Sequence, residues 1–256
     1  MIYRQNDAIS FFQFPHLTEF PELRHGVFTR LGGVSTGAFH SLNVGMSGGD
    51  EASNVIQNRL AVSRCMGGAG LVFLDQVHGT DVVNVRERVA AAEAGGFRAG
   101  SGDALISRLP GVSMLIQTAD CQSVLIFDPV RMAVGNVHSG WRGSLHNIIG
   151  RTVQAMIEEF GTDPTTLLAG IGPSLGPCCA EFIHYHTEIP RHFWLYKNSA
   201  DHFDFWALSR DQLTEAGVPD DHIVCSHLCT RCRTDLFFSY RKEQVTGRFA
   251  AVIGLV

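Results

Sequence analysis

No run of about eighteen apolar residues occurs in the 256-residue chain, so the sequence offers no transmembrane helix. It also lacks any run of lysine or arginine: 20 basic residues stand against 25 acidic ones, a formal net charge of −5. Such a balance suits solubility and omits the basic surface that grips a phosphate backbone, so neither nucleic acid nor a membrane is expected as a partner. Any anionic ligand has to meet local arginines. The opening MIYRQNDAISFFQFPHL mixes polar and charged residues ahead of a short aromatic patch, without the apolar core and small-residue cleavage site of a secretory signal. A cytoplasmic location is expected. With 18% charged and 45% hydrophobic residues, the composition excludes disorder and fibrous structure. Cysteine is scarce and odd in number, seven in all, and a reducing compartment turns those thiols toward metal binding or catalysis rather than a disulfide framework.

What is present reads as one α+β domain spanning residues 1–256, with no internal repeat and no linker. Apolar runs predict strands at HGVFTR, LVFLDQVHG, DVVNVRE, ALISR, VSMLIQTA, VLIFDP, MAVGNVHS, TLLAGIGPS and FAAVIGLV, several of them buried on both faces. VLIFDPVRMAVGNV predicts a hairpin turning at Asp128-Pro129. Helical spacing with terminal glycine predicts helices at EASNVIQNRLAVSRCMG, SLHNIIGRTVQAMIEEFG and DFWALSRDQLTEAGV. The Ala- and Gly-rich segment 87–103 is expected to be a surface loop or a short helix.

Three potential ligands stand at strand ends: His78 after LVFLDQV, Cys121 in TADCQS, and His138 near the end of MAVGNVHS. If those strands are neighbours, the ends bring a cysteine and two histidines to one rim of a sheet. Two nitrogens and a sulfur leave tetrahedral Zn²⁺ one open position for water, the catalytic pattern. The same residues also permit a metal-free route in which His138 deprotonates Cys121 for nucleophilic attack. An inert buried cysteine beside two hydrogen-bonded histidines fits the spacing as well.

Arg142 in HSGWRG sits at a helix entry and suits a phosphate or carboxylate, and FTRLGGVSTGAFHSLNVG offers Arg30, Ser35 and Asn43 on a glycine-rich loop. That loop serves equally as a plain turn. CSHLCTRC places Cys225, His227, Cys229 and Cys232 within eight residues, a zinc-like spacing without a second pair at finger distance. Cys178-Cys179 reads as a turn whose vicinal thiols do not pair with each other. The tripeptide His184-Tyr185-His186 resembles half of a copper-oxidase motif, with no further histidine pairs to complete it.

FTRLGGVSTGAFHSLNVG, LDQVHGTDVV, GDALIS, TADCQSVLIFDP, GNVHSGWRG, IGPSLGPCCAEF and FFSYRKEQVTGRFAAVIGL, in this order from about residue 25 to the C-terminus, resemble the laccase-like multicopper polyphenol oxidase family. Members are also described as purine nucleoside phosphorylases and as a peptidoglycan editing factor. The resemblance implies a four-layer α/β/β/α sandwich akin to the catalytic domain of cytotoxic necrotizing factor toxins. It implies zinc on His78, Cys121 and His138, with copper ranked behind it. It further implies phosphorolysis of adenosine, inosine and methylthioadenosine, together with adenosine deamination. Nucleoside and phosphate are then the partners, with Arg30, Asn43, Gln76 and Arg142 expected along the substrate pocket. Asp120 is expected as an acid or base beside Cys121, or else as a capping and positioning residue.

One departure concerns SLNVGMSGGDE, where Ser47 stands at a position that is commonly histidine in the family. Three other readings stay open. They are a Cys121/His138 amidohydrolase that edits peptidoglycan precursors, copper-dependent phenol oxidation, and a zinc-stabilised protein that binds a partner through an exposed FFQF. The oligomeric state has no signature in the sequence.

Overall fold

The computed structural model describes residues 1–87 and 95–256. Thirteen strands occur among them: β1 (Ile2–Asn6), β2 (Ile9–Gln13), β3 (Leu23–Phe28), β4 (Gly70–Asp75), β5 (Val82–Val85), β6 (Phe97–Ser101), β7 (Ala104–Ser107), β8 (Val112–Thr118), β9 (Gln122–Asp128), β10 (Ala133–Ser139), β11 (Leu168–Ile171), β12 (Ile223–Cys225) and β13 (Phe249–Leu255). The helices are α1 (Ala52–Cys65), α2 (Trp141–Leu145), α3 (Ile148–Phe160), α4 (Tyr185–Glu188), α5 (Phe205–Glu215) and α6 (Tyr240–Glu243). The α+β expectation holds. One mixed sheet runs β1-β2-β3-β13-β8-β4-β6 and a second runs β12-β11-β9-β10-β7-β5.

Alternation along the central strands explains how the apolar runs are used. In β13, Phe249, Ala251 and Ile253 join one buried cluster while Ala250 and Val252 join another. In β9, Leu125 and Phe127 face the first cluster while Val124 and Ile126 face a third, shared with Ile149, Val153 and Met156 of α3. Successive side chains point to opposite faces, so a continuous apolar run is buried on both sides. The first cluster lies between the sheets, the second between the first sheet and α1, and the third between the second sheet and α3 with α5. The β9–β10 hairpin turns at Asp128-Pro129 as expected, with Asp128 opposite Ala133. The Asp128 carboxylate accepts the Val130 and Arg131 N–H groups, which explains why the turn closes there.

Two expectations fail here. FFQF is not exposed: Phe11 and Phe14 are buried, Phe12 packs on Phe237, and the stretch forms β2 and its exit. The segment 87–103 is not all loop, because Phe97–Ser101 pairs in parallel with β4; its residues 88–94 lie outside the described part. No described helix is long and apolar enough to cross a membrane.

The connections decide where function sits. β4 belongs to the first sheet and β5 to the second, and the same change of sheet occurs from β6 to β7 and from β8 to β9. The crossings therefore run through 76–81, 102–103 and 119–121. The Asp81 carbonyl accepts the Asp103 N–H at 3.0 Å and the Ala104 N–H at 3.2 Å, and the Asp75 carbonyl accepts the Gly102 N–H at 3.1 Å, which ties the first two crossings together.

Candidate metal centre

His78 lies on the first crossing, Asp103 on the second and Cys121 on the third, while His138 sits in β10 opposite Ser123 of β9. The sequence placed the three residues at strand ends on one rim of a single sheet; His138 does stand at the end of β10, but His78 and Cys121 lie on crossings between the two sheets, so the group bridges them. One ligand atom from each of His78, Cys121 and His138 lies within 4.8 Å of the others. Cys121 Sγ is 3.8 Å from His78 Nε2, and the two imidazoles meet edge to face at 4.9 Å between centroids. His138 is buried, Cys121 half-buried and His78 exposed, so the group opens toward solvent on the His78 side.

The wholly buried Asp103 organises this triad. Its carboxylate accepts the His78 N–H at 2.9 Å, the Gly79 N–H at 2.6 Å and the Val77 N–H at 3.3 Å, and it holds His138 Nδ1 at 2.8 Å. With Nδ1 engaged, His138 presents Nε2 to the centre, the arrangement in which a carboxylate orients a metal-binding imidazole. His78 adopts a left-handed backbone at φ 59°, a conformation that the three N–H contacts to Asp103 offset. Gly140 allows the close approach, because a Cβ there would lie 2.7 Å from His78 Cδ2 and 3.4 Å from Cys121 Sγ. Neither Asp103 nor Gly140 was singled out from sequence. The signal for Asp103 was an aspartate standing directly before the apolar run ALIS.

Charge is arranged to favour a thiolate. Burial raises the Cys121 pKa, but the His138 charge and hydrogen bonds from both histidines outweigh it and bring it down to about 6. Burial likewise works against a charged His138, yet the Cys121 thiolate and the Asp103 carboxylate lift it to about 9. For Asp103 burial again raises the pKa, and the His138 hydrogen bond with the Gly79 and His78 N–H groups brings it below the usual carboxylate range.

Two cavities meet at the triad. One of about 610 Å³ is walled by Trp141, Phe182, Phe205 and Tyr240 and reaches His78, Cys121, Arg142 and Arg241. The other, about 770 Å³, shares His78, Cys121 and Tyr240 and is lined by Gln76, Gln117, Arg98, Arg248 and Ser47. Ser47 thus does form part of a wall.

Among the described residues nothing accepts a hydrogen bond from the Arg142 guanidinium, which lies 4.1 Å over the Trp141 ring at the cavity wall. Arg241 donates to the Glu181 carbonyl at 2.7 Å and was missed in the sequence, since it sits on the single turn of α6. Gln76 faces the second cavity, but its amide pairs reciprocally with the Gln117 backbone at 2.8 Å and extends the β4–β8 ladder.

Arg30 and Asn43 do not line these two cavities. The Arg30 side chain, only 13% exposed, is held by Glu243 at 2.8 Å and by the carbonyls of His40 and Thr234, over the Phe238 ring. Asn43 is buried and ties Gly45, Asp50 and Arg248 together. Asp120 lines the first cavity, but its oxygens accept the Thr230 hydroxyl and the Arg241 N–H, each at 2.6 Å. It thereby ties the Thr230 loop and the Arg241 turn to the crossing.

The family model described as multi-copper polyphenol oxidoreductase laccase matches residues 24–256. This chain belongs to that family. In sequence, the laccase-family chain is 35% identical over 243 residues to a purine nucleoside phosphorylase of Deinococcus radiodurans, covering 90% of this chain and 88% of the relative. It superposes on the crystal structure of YlmD from Geobacillus stearothermophilus with a TM-score of 0.87, at 30% identity and with 99% and 98% of the two chains covered. A hypothetical protein YfiH from Bacillus licheniformis gives 0.88 at 29% identity, with 99% of both chains covered.

Proposed function

We propose that this protein is a zinc-dependent purine nucleoside phosphorylase that accepts adenosine, inosine and methylthioadenosine and also deaminates adenosine. The observation that carries the reading is the His78/Cys121/His138 group opening into an aromatic cavity with an unpartnered arginine on its wall. The relative in Deinococcus radiodurans, matched over nearly its whole length and named purine nucleoside phosphorylase, supports the phosphorolytic part of the reading. One sulfur and two nitrogens suit zinc, with the His138 tautomer already set by Asp103. Bound zinc would supply Lewis acidity and an activated water, which deamination at purine C6 requires.

The residues of the chain do the rest. Trp141, Phe182 and Phe205 offer faces on which a purine stacks while excluding water from the glycosidic bond. Arg142, with Arg241 lining the same cavity, draws phosphate to C1′ of the ribose. A phosphate oxygen then bonds to C1′ as the C1′–N9 bond breaks, releasing the base and ribose 1-phosphate. Both Asp120 oxygens are occupied by hydrogen-bond donors, so its part is to hold the Arg241 turn in place. The order helix, sheet, sheet, helix implied by the three apolar clusters supports a four-layer sandwich. The test is product analysis of zinc-loaded protein incubated with inosine. Hypoxanthine and ribose 1-phosphate should form only when phosphate is present; no base from any nucleoside, with or without phosphate, would sink the idea.

A second reading has its own observation. Cys121, His138 and Asp103 form a thiolate, imidazole and carboxylate relay, which suits a nucleophilic amidohydrolase acting on peptidoglycan precursors with a wrong amino acid. It predicts amide cleavage that survives chelator and an acyl adduct on Cys121.

A further inference from the structure

A second group of thiols stands on the far side of Asp120. Cys178 and Cys179, in the turn after β11, meet Cys229 and Cys232 of the loop after β12, and all four sulfurs lie within 4.8 Å of one another. The pairing is tertiary. A parallel bridge between Ser174 and Cys229 lays the two loops side by side, with the Thr230 N–H donating to the Ser174 carbonyl at 3.0 Å. The cluster therefore combines two pairs that the sequence kept apart. Cys225 packs among the apolar residues beneath α5, and His227 meets the Trp206 ring, so neither joins.

We propose that Cys178, Cys179, Cys229 and Cys232 form a closed tetrathiolate zinc site, separate from the His78/Cys121/His138 centre. A tetrahedron with zinc–sulfur bonds of about 2.3 Å has sulfur–sulfur edges of about 3.8 Å. The Cys178–Cys232 and Cys179–Cys232 sulfurs are 3.7 and 3.5 Å apart, close to that edge and well beyond the roughly 2.05 Å of a disulfide. Donors suited to a negatively charged thiolate complex surround it: the Arg231 guanidinium reaches Cys179 Sγ at 3.4 Å and the Gly176 N–H reaches Cys229 Sγ at 3.4 Å.

Four protein sulfurs leave no open position, so the site is structural rather than catalytic. Its task is visible in what the two loops carry. Thr230, between the last two ligands, donates to Asp120, and Leu175, just ahead of the first two, donates its N–H to the Asp120 carbonyl at 2.9 Å. The metal clamps the wall of the cavity that adjoins Cys121.

The test is metal analysis of the purified full-length chain after zinc loading and desalting, beside two double variants. Wild type should hold about two zinc ions per chain, while His78→Ala/His138→Ala and Cys178→Ser/Cys232→Ser should each hold about one. In the His78→Ala/His138→Ala background, cobalt should give intense sulfur-to-metal charge transfer, a readout independent of whether the first centre binds metal at all. Wild-type protein covers the case of a serine variant that fails to fold. Cys178, Cys179, Cys229 and Cys232, located by peptide mapping, should resist alkylation until chelator is added. Protection that only a reductant lifts would show a disulfide and overturn the proposal, as would iron in place of zinc or free reaction of all four thiols in zinc-loaded protein.

Discussion

Replacing Asp103 with asparagine keeps the shape of the side chain and removes half of its acceptor capacity. The native carboxylate holds four groups: the N–H of Val77, His78 and Gly79 and the ring Nδ1 of His138. An amide has one acceptor oxygen. If that oxygen stays with His78 and His138, the new NH2 turns toward the Gly79 and Val77 donors, leaving both unpaired in a buried site. Each such loss costs about 1–3 kcal/mol, and the length of the Val77 contact puts the expected sum at about 3 kcal/mol. If the amide turns the other way, its NH2 faces His138 and forces the tautomer whose Nε2 bears hydrogen, which removes a ligand. Either way zinc affinity should fall about 10–100-fold.

Urea unfolding in chelator measures the first effect, and zinc competition against a chromophoric chelator measures the second. The sign of the pH dependence follows from the depressed Asp103 carboxyl. Its stabilisation is full above the unfolded carboxyl pKa of about 4 and is lost as pH falls through the lower folded value. The stability gap between wild type and Asp103→Asn should therefore narrow on acidification. A variant within about 0.5 kcal/mol of wild type at neutral pH, with unchanged zinc affinity, would refute the organising role of Asp103.

Gly140→Ala should leave the fold intact but push the His78 ring away from Cys121, lowering zinc affinity about tenfold in the same titration; unchanged affinity would show that His78 is not held by this contact. Arg142→Ala should raise the KM for phosphate about 10–100-fold, the loss expected for a charged hydrogen bond, whereas Arg30→Ala should leave KM alone and cost about 1–3 kcal/mol of stability by stranding Glu243. The reverse pattern would restore Arg30 to the pocket. Buried His25 accepts the Phe14 N–H at 2.9 Å, and burial holds its pKa down to about 4. Because the unfolded imidazole takes a proton near pH 6.5 that the folded one refuses, stability should fall between about pH 6.5 and 4, by at most ~3 kcal/mol. His25→Gln should lack that portion of the acid sensitivity, and identical pH profiles for the two proteins would count against it.

Central strands were legible because burial on both faces leaves an unbroken apolar run, as in VLIFD and FAAVIGL. Strand β6, FRAGS, was not, since a largely exposed edge strand keeps no such pattern. FFQF looked exposed because aromatics beside charged residues say nothing of which face another element covers. His78, Cys121 and His138 were legible as residues but not as an arrangement, because three changes of sheet, invisible to local periodicity, bring them together with Asp103. Arg30 and Asn43 were attractive as polar groups on a glycine-rich loop, yet each is consumed by partners far away in sequence, Glu243 and Arg248. The four-thiol cluster escaped for the same reason: its two halves are about fifty residues apart, and the parallel β11–β12 pairing with the Ser174–Cys229 bridge that follows it aligns them.

The most direct measurement is the rate of hypoxanthine release from inosine and phosphate by the zinc-loaded chain, followed through chelation and readdition of zinc. The rate should vanish with chelator, return with zinc and be absent in Cys121→Ser. Release that persists undiminished in chelator, or none at all from protein shown to carry zinc on His78, Cys121 and His138, would contradict a zinc-dependent phosphorylase.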